Sequence, residues 1–291
     1  MAAQTMVMKP ATTRAPALGR RFVSAFSLIA LGALLLAMLF PLGMVALNSF
    51  KTEDEYRANG PFALPQNPTL DVITGTWERT DFTTKLVNST VISISVAILA
   101  LVLSLFNAFA LGIGKIKGRA FLIIFFLMAI TLPTESLAYP LYYFFKLIHL
   151  YDNGLSVILI TAAFHSSYGT YLLSSVFSTF PRELIEAALI DGCNKLQLLF
   201  RIIVPITRPA LSVLFVFFFI WTWNDFFLPL IFLISNAKQT VPIAIALAQG
   251  ERNSVITTQS AAALLGIIPC IIFFFLFQRT LARGVTAGSL K

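Results

Sequence analysis

Long apolar segments with at most one charged residue alternate with more polar segments along the whole chain. The apolar runs cover residues 22–50, 86–113, 120–145, 155–177, 210–234 and 260–277. A helix needs about 20 apolar residues to cross the hydrocarbon core of a bilayer. The pattern therefore predicts an all-α polytopic membrane protein with six membrane-spanning helices. Pro133 and Glu135 give the third span an irregular outer half, and Asn224 with Asp225 interrupts the fifth.

The composition agrees with a membrane protein and disagrees with a soluble one. Of the 291 residues, 57% are hydrophobic and only 12% are charged, which is about half the charged share of an ordinary globular domain. A soluble domain cannot hide so much apolar surface, so a soluble enzyme, a disordered chain and a disulfide-rich module are excluded. The first run follows basic residues but exceeds the roughly 7–15 residues of a signal-peptide core, which favours a retained span.

The positive charges predict the orientation of the spans. Of the 21 Lys and Arg residues, 14 lie in the segments that six spans place on one side, against only three of the 13 Asp and Glu residues. Those segments are 1–21, 114–119, 178–208 and 279–291. Because positive residues accumulate on the cytoplasmic side, we predict that both termini and the 178–208 loop are cytoplasmic. The net charge of +8 then needs no nucleic acid partner, and we expect none.

Three parts follow from this topology. A cytoplasmic N-tail covers residues 1–21, a six-span transmembrane domain covers 22–281, and a cytoplasmic C-tail covers 282–291. Within the domain, 48–85 is the sizeable external loop and 178–208 is the long cytoplasmic loop.

The sequence patterns of catalysis are missing from the chain. It has no G-x-x-x-x-G-K-[ST] phosphate-binding loop, no H-E-x-x-H and no G-x-S-x-G. Two cysteines and two histidines supply no metal or haem framework. We therefore predict a non-catalytic protein that binds no cofactor or metal itself and receives its driving energy from a partner.

The cytoplasmic loop predicts two short helices. Pro181 and an acidic first turn favour a helix over 181–191, and Gly192 favours a stop or sharp turn after it. A second helical stretch over 195–204 is expected to end before Pro205.

The first of these helices has features of a contact surface. Ala187 and Ala188 allow another surface to approach the backbone closely, and Glu186 can accept two hydrogen bonds from an arginine. Spacing alone leaves two interpretations open: a handle for a partner, or a solvated loop between spans.

Three motifs resemble one family. Glu186-Ala187-Ala188, followed by Gly192, Ile202 and Pro205, resembles the EAA motif of ATP-binding-cassette importer permeases, with Val204 where the pattern has Leu. The segment from Trp221 to Leu230 resembles the WNxFxxPL segment of the carbohydrate-uptake branch, and 277–291 resembles the C-terminal ending of its MalG-like subunits. Loop order and both termini agree, so the resemblance covers nearly the whole chain.

The resemblance implies a type I importer permease in a bacterial plasma (inner) membrane. Its implied partners are a second homologous permease, two ATPase subunits that carry ATP and Mg²⁺, an external solute-binding protein, a carbohydrate and membrane lipid. The residues it implies for ATPase coupling are Glu183, Glu186, Ala187, Ala188, Asp191 and Gly192. The residues it implies for a C-tail contact between the ATPase subunits are Thr286, Ala287 and Gly288, for which a frayed end is the alternative.

Solute-path residues are predicted in the outer half of the spans. Trp221, Asn224 and Asp225 share one helix face, because they are spaced i, i+3 and i+4. With Trp223 and Glu135 they offer the aromatic, amide and carboxylate groups that suit a carbohydrate. The alternatives are helix–helix hydrogen bonds and interfacial aromatic anchors.

Two further questions stay open at this stage. The 48–85 loop contacts the solute-binding protein or is a plain connector. For the whole chain, the alternative to a permease subunit is a stand-alone secondary carrier or channel for a small solute.

Overall fold

A computed structural model describes residues 17–114, 116–250 and 256–287, and within these ranges the regular structure is entirely helical. The α-helices are α1 (Ala17–Ser49), α2 (Glu53–Asn59), α3 (Asp71–Arg79), α4 (Phe82–Gly112), α5 (Arg119–Thr131), α6 (Ala138–Leu147), α7 (Gly154–Ser178), α8 (Arg182–Ile190), α9 (Lys195–Gln197), α10 (Val204–Trp223), α11 (Phe227–Phe232), α12 (Val241–Gly250) and α13 (Ile256–Ala287). Short 3₁₀ turns occupy Thr134–Leu137 and Asn236–Lys238, and a π-helical stretch occupies Leu198–Ile203.

Four helical segments are long and apolar enough to cross a membrane, as the apolar pattern predicts. They are Ala25–Ser49, Phe82–Gly112, Lys195–Trp223 and Ile256–Arg279. A fifth candidate is the pair 119–131 and 134–147, which bends by 92° at Pro133 and so is broken more sharply than the predicted irregular span. The all-α prediction is confirmed. The predicted number of six membrane-spanning helices is consistent with these four or five candidates, which do not by themselves establish it.

The remaining long helix, α7, has 25 residues but a more polar composition. It packs extensively against α4 and also contacts α5 and α10. Several of its hydroxyl groups are buried and bond to backbone carbonyls; Ser166 Oγ, for example, donates to Ala163 O at 2.8 Å. Ser104 Oγ of α4 donates to Ser166 O at 3.2 Å, whereas Thr161 Oγ1 and His165 Nε2 are buried without a partner. Because protein covers about half of its residues, α7 needs less apolar surface than a lipid-facing span.

A glycine brings α4, α7 and α10 together. A Cβ atom at Gly169 would lie 2.8 Å from Ser104 Cβ and 2.9 Å from Phe218 Cζ, which is closer than real contacts allow. Only glycine therefore permits this three-helix approach. The core of the bundle lies here, whereas residues 25–43 of α1 are exposed in this single chain.

The helix after the cytoplasmic loop continues through Pro205, which differs from the predicted end at that residue. Proline lacks an N–H group and clashes with the carbonyl four residues earlier in an α-helix. The π-helical stretch Leu198–Ile203 directly precedes it. A π-helix shifts the hydrogen bonds to i→i+5 and so accommodates the missing donor without ending the helix.

Candidate functional site

The α8 helix lies where the sequence predicts it, with Pro181 and Asp191 as its flanking caps. At its carboxyl end the N–H of Gly192 donates to Leu189 O at 3.1 Å, and the N–H of Cys193 donates to Ala188 O at 3.0 Å. Gly192 has φ +81°, a conformation that glycine adopts without strain. This pair of bonds is the Schellman arrangement, so the predicted sharp turn after the helix is confirmed.

The two alanines of the Glu-Ala-Ala motif face opposite directions. Ala187 and Glu186 are exposed, as is Glu183 one turn earlier. Ala188 is only 5% exposed and belongs to the hydrophobic core. The small side chain of Ala188 therefore allows α8 to pack closely against the rest of this chain. The small side chain of Ala187 leaves room for another protein to contact α8.

Apolar side chains are exposed beside these acidic residues. Ile190 is 86% exposed, Leu189 is 50% exposed, and Leu184 is 39% exposed. We define the α8 surface as the exposed residues Glu183, Leu184, Glu186, Ala187, Leu189 and Ile190. Exposed apolar groups rimmed by polar ones are typical of a protein–protein contact site.

The α8 helix contacts the π-helical stretch that follows it. Leu198, Leu199 and Ile203 of that stretch are buried in the same core cluster as Ala188. Asn194 caps this second helix reciprocally with Gln197, with backbone-to-side-chain bonds of 2.8 and 2.9 Å. Packed side chains therefore connect α8 to the helical segment that continues into α10.

At the opposite end, α10 stops at Trp223 and α11 starts at Phe227. The Asp225 carboxylate accepts hydrogen bonds from the N–H groups of Phe227 at 3.1 Å and Leu228 at 3.4 Å. Asn224 is exposed, and its side chain donates to Ile220 O at 2.8 Å. Asp225 thus satisfies N–H groups freed by the break, a local role that the predicted alternatives did not include, whereas Asn224 adds a second bond to Ile220 O, which already accepts from the Asn224 N–H.

The two tryptophans of this segment belong to different surfaces. Trp221 is 41% exposed and joins an aromatic cluster with Tyr168 at 5.1 Å and His165 at 5.5 Å between ring centroids. Trp223 is 5% exposed and stacks on Phe219 at 5.7 Å. Two residues apart on a helix, they point about 200° apart, so no single face holds both.

Trp223 and Asn224 line a separate cavity. With Phe226 they border a space of about 300 Å³, closed on the other side by α12 and Gly266. Glu135 is exposed at the bend between α5 and α6. The structure therefore holds Asn224 and Asp225 together at the break and places the two tryptophans on different faces of α10.

Buried lysines on the predicted external side were missed by the sequence analysis. Lys51 is fully buried, and its ammonium donates to Asn48 Oδ1 at 3.0 Å, Gly60 O at 3.1 Å and Pro61 O at 3.3 Å. Lys85 is 1% exposed and donates to Asn236 Oδ1. Asp81, four residues before Lys85, also lies 3.9 Å from its ammonium. No sequence signal marks the burial of these lysines, because most of their partners are carbonyl and amide oxygens that the fold brings near.

The predicted C-tail residues are placed only in part. Thr286 and Ala287 are the last residues of α13, which runs on from the predicted sixth span. Gly288 lies outside the described residues. Within the described ranges, no group of three or more His, Cys, Asp or Glu side chains has the arrangement of a metal site.

Comparison with known proteins decides the family. The family model for the binding-protein-dependent transport system inner membrane component matches residues 100–287. The chain belongs to this family. It is a non-catalytic, MalG-like permease subunit of an ATP-binding-cassette importer, an inner membrane component, and ATP hydrolysis is the task of a separate subunit.

Individual relatives match along most of the chain. The sulfoquinovosyl glycerol transport system permease protein of Agrobacterium fabrum is 31% identical over 90% of this chain and 92% of its own length. The arabinooligosaccharides transport system permease protein of Halalkalibacterium halodurans is 30% identical over 87% of this chain and 91% of its own. The trehalose transport system permease protein of Mycobacterium tuberculosis is 32% identical over 78% and 84%, respectively.

A solved structure has the same fold. A chain of the crystal structure of a bacterial ABC transporter involved in the import of the acidic polysaccharide alginate matches 92% of this chain and 99% of its own. The TM-score is 0.80 at 20% sequence identity. The predicted type I importer permease architecture is thereby confirmed.

Proposed function

We propose that this chain forms the translocation path of a carbohydrate importer together with a second homologous permease. The names of three relatives of about 30% identity refer to a sulfoquinovosyl glycerol, arabinooligosaccharides and trehalose, which supports a carbohydrate as the solute. An external solute-binding protein delivers the solute, and the 48–85 loop, ordered by buried Lys51, offers it a contact.

The exposed α8 surface carries the proposal. It combines acidic and apolar side chains that have no partner among the described residues of this chain, next to a buried anchor at Ala188. Each of the two ATPase subunits has a groove, and each groove receives this surface from one of the two permeases. ATP and Mg²⁺ bind to those subunits, and their closure moves α8 together with α10, which switches the path between inward-facing and outward-facing states.

Two other contacts complete the proposal. The solute path is lined by the region around Glu135, Trp221, Asn224 and Asp225. Trp223 packs behind this region and lines the neighbouring cavity of about 300 Å³. Thr286, Ala287 and Gly288 insert between the ATPase subunits. Both termini lie in the cytoplasm, in agreement with the distribution of positive charges.

A charge reversal at the α8 surface tests the coupling. Glu186→Lys leaves the exposed backbone of α8 intact but opposes the arginine or lysine that the carboxylate is proposed to meet. Co-purification of the ATPase should fall at least about tenfold, while the amount of the variant in the membrane is unchanged. Glu78→Lys, an exposed acid of α3 on the external side, is the matched control.

The result that would overturn the coupling is normal recovery of the ATPase with Glu186→Lys. The stand-alone carrier or channel is tested separately, with the chain alone in liposomes. A carrier would move a carbohydrate down its gradient, whereas a permease subunit should be inert until the second permease and the ATPase are added.

A further inference from the structure

A cavity of about 500 Å³ lies between α8 and the membrane-spanning helices. Its walls come from the ends of α4 and α7, the start of α5, and α8 with α9. In the orientation proposed above, on which this inference rests, the cavity is at the cytoplasmic boundary of the membrane. It adjoins the α8 surface, because Glu186 and Leu189 of that surface also line it.

Three cations line this cavity against one carboxylate. Arg119, Arg182 and Lys195 border it together with Glu186. Within the described residues, none of the three cations forms an ion pair or a side-chain hydrogen bond, although Arg119 is half-buried. A partly buried guanidinium without an anion is costly, so the cavity has a net charge that an anionic ligand would balance.

Helix stability does not explain where the two arginines lie. Arg119 is the first residue of α5 and Arg182 is the first residue of α8, and neither helix has a side-chain cap at that end. A helix amino terminus carries a partial positive charge, which disfavours a cation there. An anion in the cavity would be attracted by both arginines and would reverse this repulsion.

The rest of the wall is apolar. Phe109 and Ile113 come from the end of α4, and Phe177 and Phe180 come from the end of α7 and the turn after it. A free inorganic anion gains nothing from aromatic walls. A phospholipid has a charged phosphate next to a glycerol and acyl region, which matches cations and apolar side chains in one cavity at the membrane boundary.

We propose that this cavity binds the head group of an anionic phospholipid from the cytoplasmic leaflet. The phosphate lies between Arg119 and Arg182 with Lys195 nearby, and the acyl end lies along the phenylalanines. The lipid then bridges α8 to α4, α5 and α7, so it stiffens the connection through which α8 moves the spans.

Lipid retention by the complete transporter tests this assignment. The complex is purified in mild detergent and exchanged into phosphatidylcholine that contains a small fraction of phosphatidylglycerol. Native mass spectrometry then measures which lipids stay bound to it. We expect wild type to retain phosphatidylglycerol and Arg119→Gln/Arg182→Gln to bind it at least about tenfold more weakly, since each surface cation contributes to anionic-lipid affinity. The control is Arg201→Gln/Arg208→Gln, which removes two exposed cations of the same cytoplasmic segment that do not line the cavity.

Three results would overturn the inference. One is equal retention of phosphatidylglycerol by the two double variants. Another is displacement of the lipid by millimolar inorganic phosphate, which would assign the cavity to a free anion. The third is absence of bound phosphatidylglycerol from the complete wild-type complex. In that case an acidic group of the ATPase, and not a lipid, would pair with the three cations. Because the readout is bound lipid, its failure is distinct from a failure of carbohydrate transport or of ATPase docking.

Discussion

The α8 surface and the break between α10 and α11 both interrupt apolar sequence with a few acidic and amide groups, yet they use them differently. At α8, Glu183 and Glu186 are exposed and bond to nothing in the described part of the chain. At the break, the Asp225 carboxylate accepts bonds from the N–H groups of Phe227 and Leu228, which the interruption leaves without helical partners. Water satisfies freed backbone groups at a solvated helix, but in an apolar surrounding side chains must do so. Polar residues in a span are therefore weaker evidence for a ligand than polar residues on a solvated helix.

The largest effect that tests this comparison is at the two tryptophans of the break. Trp223→Ala should lower the free energy of unfolding by about 3–5 kcal/mol, because it removes a buried ring stacked on Phe219. Trp221→Ala should change that free energy by less than about 1.5 kcal/mol, because its ring is partly exposed, and should lower transport instead. Equilibrium unfolding in mixed micelles and uptake by the complete transporter measure the two quantities. Equal destabilisation by both variants would contradict the division between the two surfaces.

The two alanines of α8 provide the same test at the α8 surface. Ala188→Leu should cost about 1–3 kcal/mol of stability, because it overfills a site that is 5% exposed. Ala187→Leu should leave stability unchanged but block ATPase docking, because it enlarges an exposed contact. Unfolding and ATPase co-purification are measured on both variants. Normal docking by Ala187→Leu would remove this residue from the proposed interface.

A smaller effect is expected at Asp225. Asp225→Ala leaves the N–H groups of Phe227 and Leu228 without their acceptor and should cost about 1 kcal/mol, as loss of a helix cap does. Asp225→Asn keeps an acceptor oxygen and should restore most of this stability. If the Asn variant also transports normally, the negative charge has no part in the solute path; a transport defect with normal stability supports such a part.

The smallest effect concerns a contact between the α6–α7 loop and the turn after α11. Asp152 accepts bonds from the Ser235 N–H at 3.0 Å and Lys238 Nζ at 2.9 Å. Bonds from Ser235, followed by those from Lys238, lower the Asp152 pKa to about 2. Its stabilisation is therefore complete above the ordinary Asp pKa near 3.8 and is lost as the pH falls through about 2.

Asp152→Asn should remove this acid dependence at a cost of less than about 1 kcal/mol at neutral pH, because Lys238 is half-exposed. Unfolding of both proteins between pH 5 and pH 2, about the range over which such a carboxylate is protonated, measures the effect. An unchanged acid dependence in the variant would assign that dependence to other carboxyl groups.

Much of the fold was predictable because a membrane imposes simple rules. The apolar runs predicted α1, α4, α7 and α13 to within a few residues, apart from the longer carboxyl end of α13. The α8 helix was predictable because Pro181, Glu183 and Gly192 are local start and stop signals. The predicted helix end before Pro205 was wrong, because the helix continues through this residue after a π-helical stretch. That stretch depends on the packing of Leu198, Leu199 and Ile203, and the composition of the sequence does not indicate it.

The sequence by itself determined the membrane class, the short α8 helix and, through its motifs, the permease family, because these depend on local composition and spacing. Only the tertiary structure decided which way each residue faces. It directed Ala188 inward and Ala187 outward, separated Trp221 from Trp223, and placed Arg119 and Arg182 around one cavity although 63 positions separate them in the sequence. The physical reason is that burial and charge pairing are properties of surfaces that come together only when distant helices pack.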